Sequence, residues 1–235
     1  LLTGAEVIAY SGSIGDFRLK VKLTPRYMKE ECDEGNLKKA IEVCPVIVPD
    51  EFNFNITKRK AIYHNFPSEY PQYPVIDIKN CTRCGECEKI CPSVDFTQEE
   101  KTIDINAGSV LVATGFDPYS PAEGEFGYKT IDNVITLPQF KRIVDLNENN
   151  ILFNGREIKK IAYIYCVGSR QVDGDNKYCS RYCCTSVIHA AIQARSKFRN
   201  ITNYHFTRGI RTYGKQETFY AESLKGGDIY LQSYD

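Results

Sequence analysis

Residues 158–170, IKKIAYIYCVGSR, run from alternating apolar positions into a turn with one glycine and one arginine, and they decide how the second half of the chain folds. IAYIY has the β-branched and aromatic content of a buried strand. Residues 180–198, SRYCCTSVIHAAIQARSKF, carry helical periodicity, and residues 201–210, ITNYHFTRGI, read as a further strand. Together they predict a strand-helix-strand unit of the nucleotide-binding type. In such a unit the turn after the first strand is a glycine fingerprint. Here it is Cys166-Val167-Gly168-Ser169, and the next strand runs into Thr207-Arg208-Gly209 with no acidic residue to grip a ribose. Residues 126–235 are therefore expected to form a degenerate nucleotide-binding-like domain that holds no NAD(P)H.

A thiol at the fingerprint position directs attention to the cysteines around it. Cys166 stands at the strand end, and Cys179, Cys183 and Cys184 follow at the start of the expected helix. Cys179 and Cys183, four apart, would share a helix face, with Cys184 about 100° round from Cys183. Four thiolates would then converge where a pyrophosphate sits on a helix N-terminus, a place that favours anions. A thiolate-ligated 4Fe-4S cluster is such an anion. Cys184 could instead belong to the apolar stripe of Val187, Ile188, Ala191 and Ala194. His64, His189 and His205 read as packing or surface residues.

The other cysteines lie in residues 32–91. CTRCGECEKICP places Cys81, Cys84, Cys87 and Cys91 in the C-x2-C-x2-C-x3-C-P run of bacterial ferredoxins, in which three thiolates hold one cube and the fourth serves a second. Structural zinc sites pair two separated C-x2-C knuckles instead. The partner run, ECDEGNLKKAIEVCPV, retains Cys44-Pro45 but has Ala40, Leu37 and Glu34 where ligands belong. One cube is thus expected, on Cys44, Cys81, Cys84 and Cys87, with Cys91 as the alternative fourth ligand. Cys32 and Cys91 are otherwise spare, buried thiols.

Composition fits this picture. The chain has 235 residues, 42 % of them hydrophobic, enough for a real core. Lys plus Arg and Asp plus Glu both count 30, so no net charge points to nucleic acid. No apolar run is long enough to span a bilayer. Ten cysteines without a secretory signal point to a reducing, cytoplasmic setting and to metal or redox chemistry rather than disulfides.

AEVIAYSG and DFRLKVKL read as two strands, and KTIDINAGSVLVATGFDPY as a strand pair ending at Ala113-Thr114-Gly115. Residues 26–100 would then be a ferredoxin-like α+β insertion into a domain formed by residues 1–25 and 101–125. SVLVATGFDPY resembles the strand that closes the FAD domain of flavoproteins with two dinucleotide-binding domains, which implies FAD contacts at Ala113, Thr114 and Gly115. That domain opens with G-x-G-x-x-G, and residues 1–25 contain no such run. The ADP-binding piece is expected upstream of Leu1.

CVGSR followed by YCSRYCC, the downstream RTYGKQETFYAES, ATGFDPY and CTRCGECEKICP together resemble the A subunit of heterodisulfide reductase over nearly the whole chain. The resemblance implies an α/β fold of thioredoxin-reductase-like, dinucleotide-binding-type domains with the ferredoxin-like insertion. It also implies a cytoplasmic electron relay between FAD and partner subunits, which would be other iron-sulfur, reductase or hydrogenase subunits, with a homodimer also allowed. Residue by residue, Cys166, Cys179, Cys183 and Cys184 carry over to an unusual 4Fe-4S cluster, and Cys81, Cys84 and Cys87 to the ferredoxin-like one. No nucleophile has a paired base, so no catalytic residue is assigned. The contrasting reading is a flavin-free, ferredoxin-like adaptor or docking module.

Overall fold

The computed structural model describes residues 1–29, 33–66 and 68–232, which fall into two compact units, Leu1–Gly115 and Phe116–Asp235. Cys32, expected to be a spare thiol, lies outside the described residues. No helix among the described residues is long and apolar enough to cross a membrane.

In the first unit β1 (Ala5–Ser13) and β2 (Asp16–Leu23) form an antiparallel hairpin. The chain then departs through α1 (Glu34–Val43), β3 (Ile47–Pro49), β4 (Lys58–Lys60), β5 (Ile62–Tyr63), β6 (Val75–Ile76) and α2 (Glu86–Ile90). It returns as β7 (Lys101–Ala107), which pairs with β2 to give the order β1-β2-β7. Leu23 lies opposite Lys101, so the segment leaves and re-enters the sheet at one point. Its ends are also tied by the Met28–Val94 bridge.

Within the excursion β3 pairs with β4 and β5 with β6, around a core of Met28, Leu37, Ala40, Ile62, Ile76 and Val94 together with Cys44, Cys87 and Cys91. Asp33 caps α1 by accepting from the Asn36 amide at 3.0 Å, satisfying one of the donors left open at a helix start. Leu37 and Ala40, which stand where a second cube would need cysteines, are buried core residues of that helix.

In the second unit, after a 3-10 turn at Glu125–Gly127, α3 (Leu137–Leu146) is started by a capping box between Thr136 and Gln139 with Pro138 in the first turn. A small hairpin follows, β8 (Leu152–Phe153) with β9 (Arg156–Glu157). Then β10 (Lys160–Ile164), α4 (Cys183–Lys197), β11 (Thr202–Thr207), α5 (Glu217–Lys225) and β12 (Ile229–Gln232) build a parallel sheet of order β10-β11-β12. The strand-helix-strand unit is therefore present and is extended by a third parallel strand. Phe140, Ile143 and Val144 of α3 and Val187, Ala190, Ala191 and Ala194 of α4 share its core with Tyr163 and Tyr165.

Two expectations are corrected. The helix starts at Cys183, not near Ser180, so Cys179 is in the preceding loop and shares no helix face with Cys183. Arg181, at φ 56°, places left-handed backbone just ahead of the helix, which cannot run through it. The expected strand pair across residues 101–119 is a single strand, β7. Residues 109–121 form no regular structure, and Leu111 and Val112 are 92 % and 75 % exposed. Strand-forming side chains need a neighbouring strand to pair with, and this stretch has none among the described residues.

Candidate metal centres

Four cysteines of the first unit meet at one apolar cavity. Cys44 closes the C-terminal end of α1, Cys81 and Cys84 lie in the loop before α2, and Cys87 is in its first turn. Their side chains line the cavity together with Ile62, Ile76 and Phe96. Burial, then the nearby Cys81 and Cys44 sulfurs, pushes the Cys87 thiol up to about 11. Crowded thiols with apolar walls resist ionising unless a cationic centre joins them.

The loop itself is shaped for sulfur. Arg83 adopts φ 52°, and its amide donates to Cys81 Sγ at 3.3 Å. Gly85, at φ 77°, turns the chain into α2. Lys60 Nζ anchors the far wall by donating to the Cys44 carbonyl at 2.6 Å. Cys91 is wholly buried, as expected of a core residue, but it is not a spare thiol: its sulfur is engaged in a disulfide, and it does not line the cavity.

In the second unit Cys166 follows β10 in left-handed backbone, φ 59°, an uncommon conformation for a residue with a side chain. It opens a turn closed by the Ser169 amide on its carbonyl at 3.1 Å. Cys183 and Cys184 are the first two residues of α4, where the open amides favour negative charge. Hydrogen bonding with the Cys166 and Cys184 sulfurs draws the Cys183 thiol down. The same pairing, with burial, pushes Cys166 and Cys184 up. The sulfurs of Cys166, Cys183 and Cys184 thus lie close enough to act on one another.

Cys184 Sγ also accepts from the Arg211 amide at 3.4 Å. Cys179 is not one of the three; its sulfur accepts from the Arg181 amide at 3.4 Å, the same Cys-x-Arg turn seen at Cys81. Among the described residues no group of three or more His, Cys, Asp or Glu side chains closes on a single metal ion. Thiols reached by N–H donors are the donor chemistry an iron-sulfur cluster takes; the first unit brings four sulfurs to one cavity, and the second brings three together with Cys179 in the adjoining loop.

Gly168 keeps this turn closed. It sits at φ 71°, and a Cβ there would come within 2.2 Å of the Tyr119 ring. Gly168→Ala is expected to destabilise the second unit by roughly 2–4 kcal/mol, from left-handed strain plus overpacking. Thermal unfolding followed by tyrosine fluorescence measures it; a wild-type melting temperature would contradict the clash.

Sequence reasoning gave Arg170 no role. Arg170 Nη1 approaches Cys166 Sγ at 4.0 Å and donates to the Arg208 carbonyl at 2.8 Å, while Arg208 Nη1 donates to the Arg170 carbonyl at 2.5 Å. The signal was present in the arginine that ends CVGSR. His205 is wholly buried, stacked between the rings of Tyr163 and Tyr230, with Tyr165 Oη 2.9 Å from its Nδ1. Ala113 and Thr114 lie exposed in the irregular stretch after β7, and Gly115 follows them at φ 71°.

No protein-family model matches the chain. Curated relatives do. The chain is 36 % identical over 232 residues to the A subunit of the H(2):CoB-CoM heterodisulfide,ferredoxin reductase of Methanothermobacter marburgensis, an alignment covering 95 % of this chain and 35 % of the relative. It is also 36 % identical over 234 residues to the second iron-sulfur A subunit of the CoB-CoM heterodisulfide reductase of Methanopyrus kandleri, covering 96 % of this chain and 36 % of the relative. With the A subunit of the Ferredoxin/F(420)H(2)-dependent CoB-CoM heterodisulfide reductase of Methanosarcina acetivorans, identity is 32 % over 99 % of this chain and 30 % of the relative. The chain spans about a third of the length of the curated relatives it matches. Along nearly all of its own length it is similar to one segment of the heterodisulfide reductase A subunits.

Proposed function

We propose that the chain is an electron-relay segment of a heterodisulfide-reductase-like oxidoreductase complex. One 4Fe-4S cluster would be held by Cys44, Cys81, Cys84 and Cys87, and an unusual one by Cys166, Cys179, Cys183 and Cys184. When bound, such clusters supply single-electron transfer without bond making. The observation that carries the reading is the convergence of Cys44, from the end of α1, with Cys81, Cys84 and Cys87, from the loop and first turn of α2, on one apolar cavity.

In this reading the chain's own residues do three things. The cysteines supply thiolates, the Arg83, Arg181 and Arg211 amides place N–H donors on sulfur, and the apolar walls of the insert site keep water from one cluster. FAD contacts at Ala113, Thr114 and Gly115 and thioredoxin-reductase-like domains belong to the same proposal. So do a homodimer, a cytoplasmic setting and partners drawn from iron-sulfur, reductase or hydrogenase subunits. The exposed, unpaired stretch at 109–121 favours a second reading for the segment alone, a flavin-free adaptor.

Anaerobic reconstitution tests both readings. The relay predicts about eight iron atoms per chain, four for each cube, with two distinct signals on reduction. A colourless, zinc-loaded chain would sink it. Flavin released by acid from the chain would favour the flavoprotein over the adaptor.

A further inference from the structure

Arg170 carries a charge that its surroundings leave uncompensated. Its guanidinium is fixed by the reciprocal exchange with Arg208, each side chain donating to the other residue's backbone carbonyl at 2.8 and 2.5 Å. Those acceptors are neutral. Neither arginine is ion-paired with a carboxylate among the described residues. Arg170 is partly buried, so water screens it incompletely, and Nη1 stands 4.0 Å from Cys166 Sγ. A cation held this close in a half-buried place acts on the sulfur at a strength set by low effective dielectric.

The backbone is strained in order to place it. Cys166, Gly168 and Arg170 all take positive φ, at 59°, 71° and 52°. Alternating left-handed residues curl the loop so that the fifth residue of the turn reaches back over the first. The insert site is built otherwise: Lys60 binds the carbonyl of Cys44 and not a sulfur, and Lys89, near Cys84, is paired with Glu86.

Resting on the cluster reading above, we propose that Arg170 is a potential-setting residue. Its guanidinium, locked by Arg208, raises the reduction potential of the cluster on Cys166, making that site easier to reduce than it would be without the charge. Adding an electron makes the cluster more negative, and a fixed cation beside a ligand sulfur stabilises the reduced form over the oxidised form. The role is positioning and electrostatic; Arg170 supplies no proton and is no ligand.

The test is a potentiometric titration of the reconstituted full chain, following each cluster by its own spectroscopic signal. Arg170→Gln is expected to shift the one-electron equilibrium of the Cys166 cluster at least tenfold toward the oxidised form. That is a downward move of about 59 mV or more, with the insert cluster unmoved. Arg170→Lys should keep most of the wild-type potential, because it keeps the charge. Arg208→Lys, which keeps the charge but breaks the paired lock on Arg170, and Arg208→Gln, which also removes the neighbouring cation, should both lower the potential by a smaller amount. Arg208→Gln serves as the readout if Arg170→Gln fails to hold iron.

An unchanged potential in Arg170→Gln with full iron overturns the proposal. So does a fall in Arg170→Lys as large as in Arg170→Gln, which would assign the effect to hydrogen bonding. If Arg170→Gln loses its iron, a wild-type potential in Arg208→Gln overturns it. Wild-type chain carrying iron only at the insert site would instead refute the second cluster itself, a failure distinguishable by iron count.

Discussion

Asp228→Ala is expected to cost the second unit roughly 3–5 kcal/mol, the range for breaking a buried ion pair by removing one partner. The carboxylate is only 6 % exposed, just ahead of β12. It pairs with Arg195 of α4, accepts from Asn203 of β11 at 2.9 Å and from Ser223 of α5 at 2.5 Å, and lies 3.7 Å from His205 Nε2. One side chain thus joins α4, α5, β11 and β12. Truncation leaves Asn203 and Ser223, both wholly buried, short of a partner. A domain of this size has only about 5–15 kcal/mol in hand. Denaturant unfolding of the full chain measures the loss, and a change under about 1 kcal/mol would refute the account.

The same carboxylate should make the unit acid-sensitive. Burial opposes its charge, but His205, Ser223, Arg195 and Asn203 together hold it well below the usual carboxylate range. A group depressed in the folded state adds stability that is fully present above its unfolded value, about 3.9. That stability is lost as pH falls through the lower, folded value. Stability should therefore decline below about pH 4, and Asp228→Asn should flatten that decline while lowering the plateau.

Cys44→Ser is expected to halve the iron of the reconstituted chain, from about eight atoms to about four, with the loss confined to the insert cluster. Cys91→Ala should leave that cluster's signal in place, even where it loosens the insert. The reason is positional: Cys44 lines the cavity with Cys81, Cys84 and Cys87, whereas Cys91 lies in the core beyond it with its sulfur already bonded. Iron retained in Cys44→Ser and lost in Cys91→Ala would reverse the ligand assignment.

Local patterns carried the parts of the molecule that depend on near neighbours in sequence. The C-x2-C-x2-C spacing of Cys81, Cys84 and Cys87 is short enough that one loop and one helical turn confine the three thiols. Strand β10, helix α4 and strand β11 were legible because alternation and helical periodicity are properties of single segments. Leu37 and Ala40, apolar where a second cube would need cysteines, are buried on α1 as their residue types suggest.

Tertiary structure decided what those segments meet. Cys44 reaches the cavity because α1 and α2 pack in one core, a relation no window of sequence contains. The helix carrying Cys183 and Cys184 begins where left-handed backbone at Arg181 ends, so Cys179 falls in a loop, although a four-residue spacing alone suits a helix face. Strand propensity at residues 109–114 produced no strand, because a ladder needs a partner and propensity does not supply one. The arginine lock is illegible in the sequence for the same reason: Arg170 and Arg208 become neighbours only when parallel pairing of β10 and β11 brings their trailing loops side by side. What lies within one segment was readable from residue types, while ligand partners, charges and caps that cross between segments depend on packing.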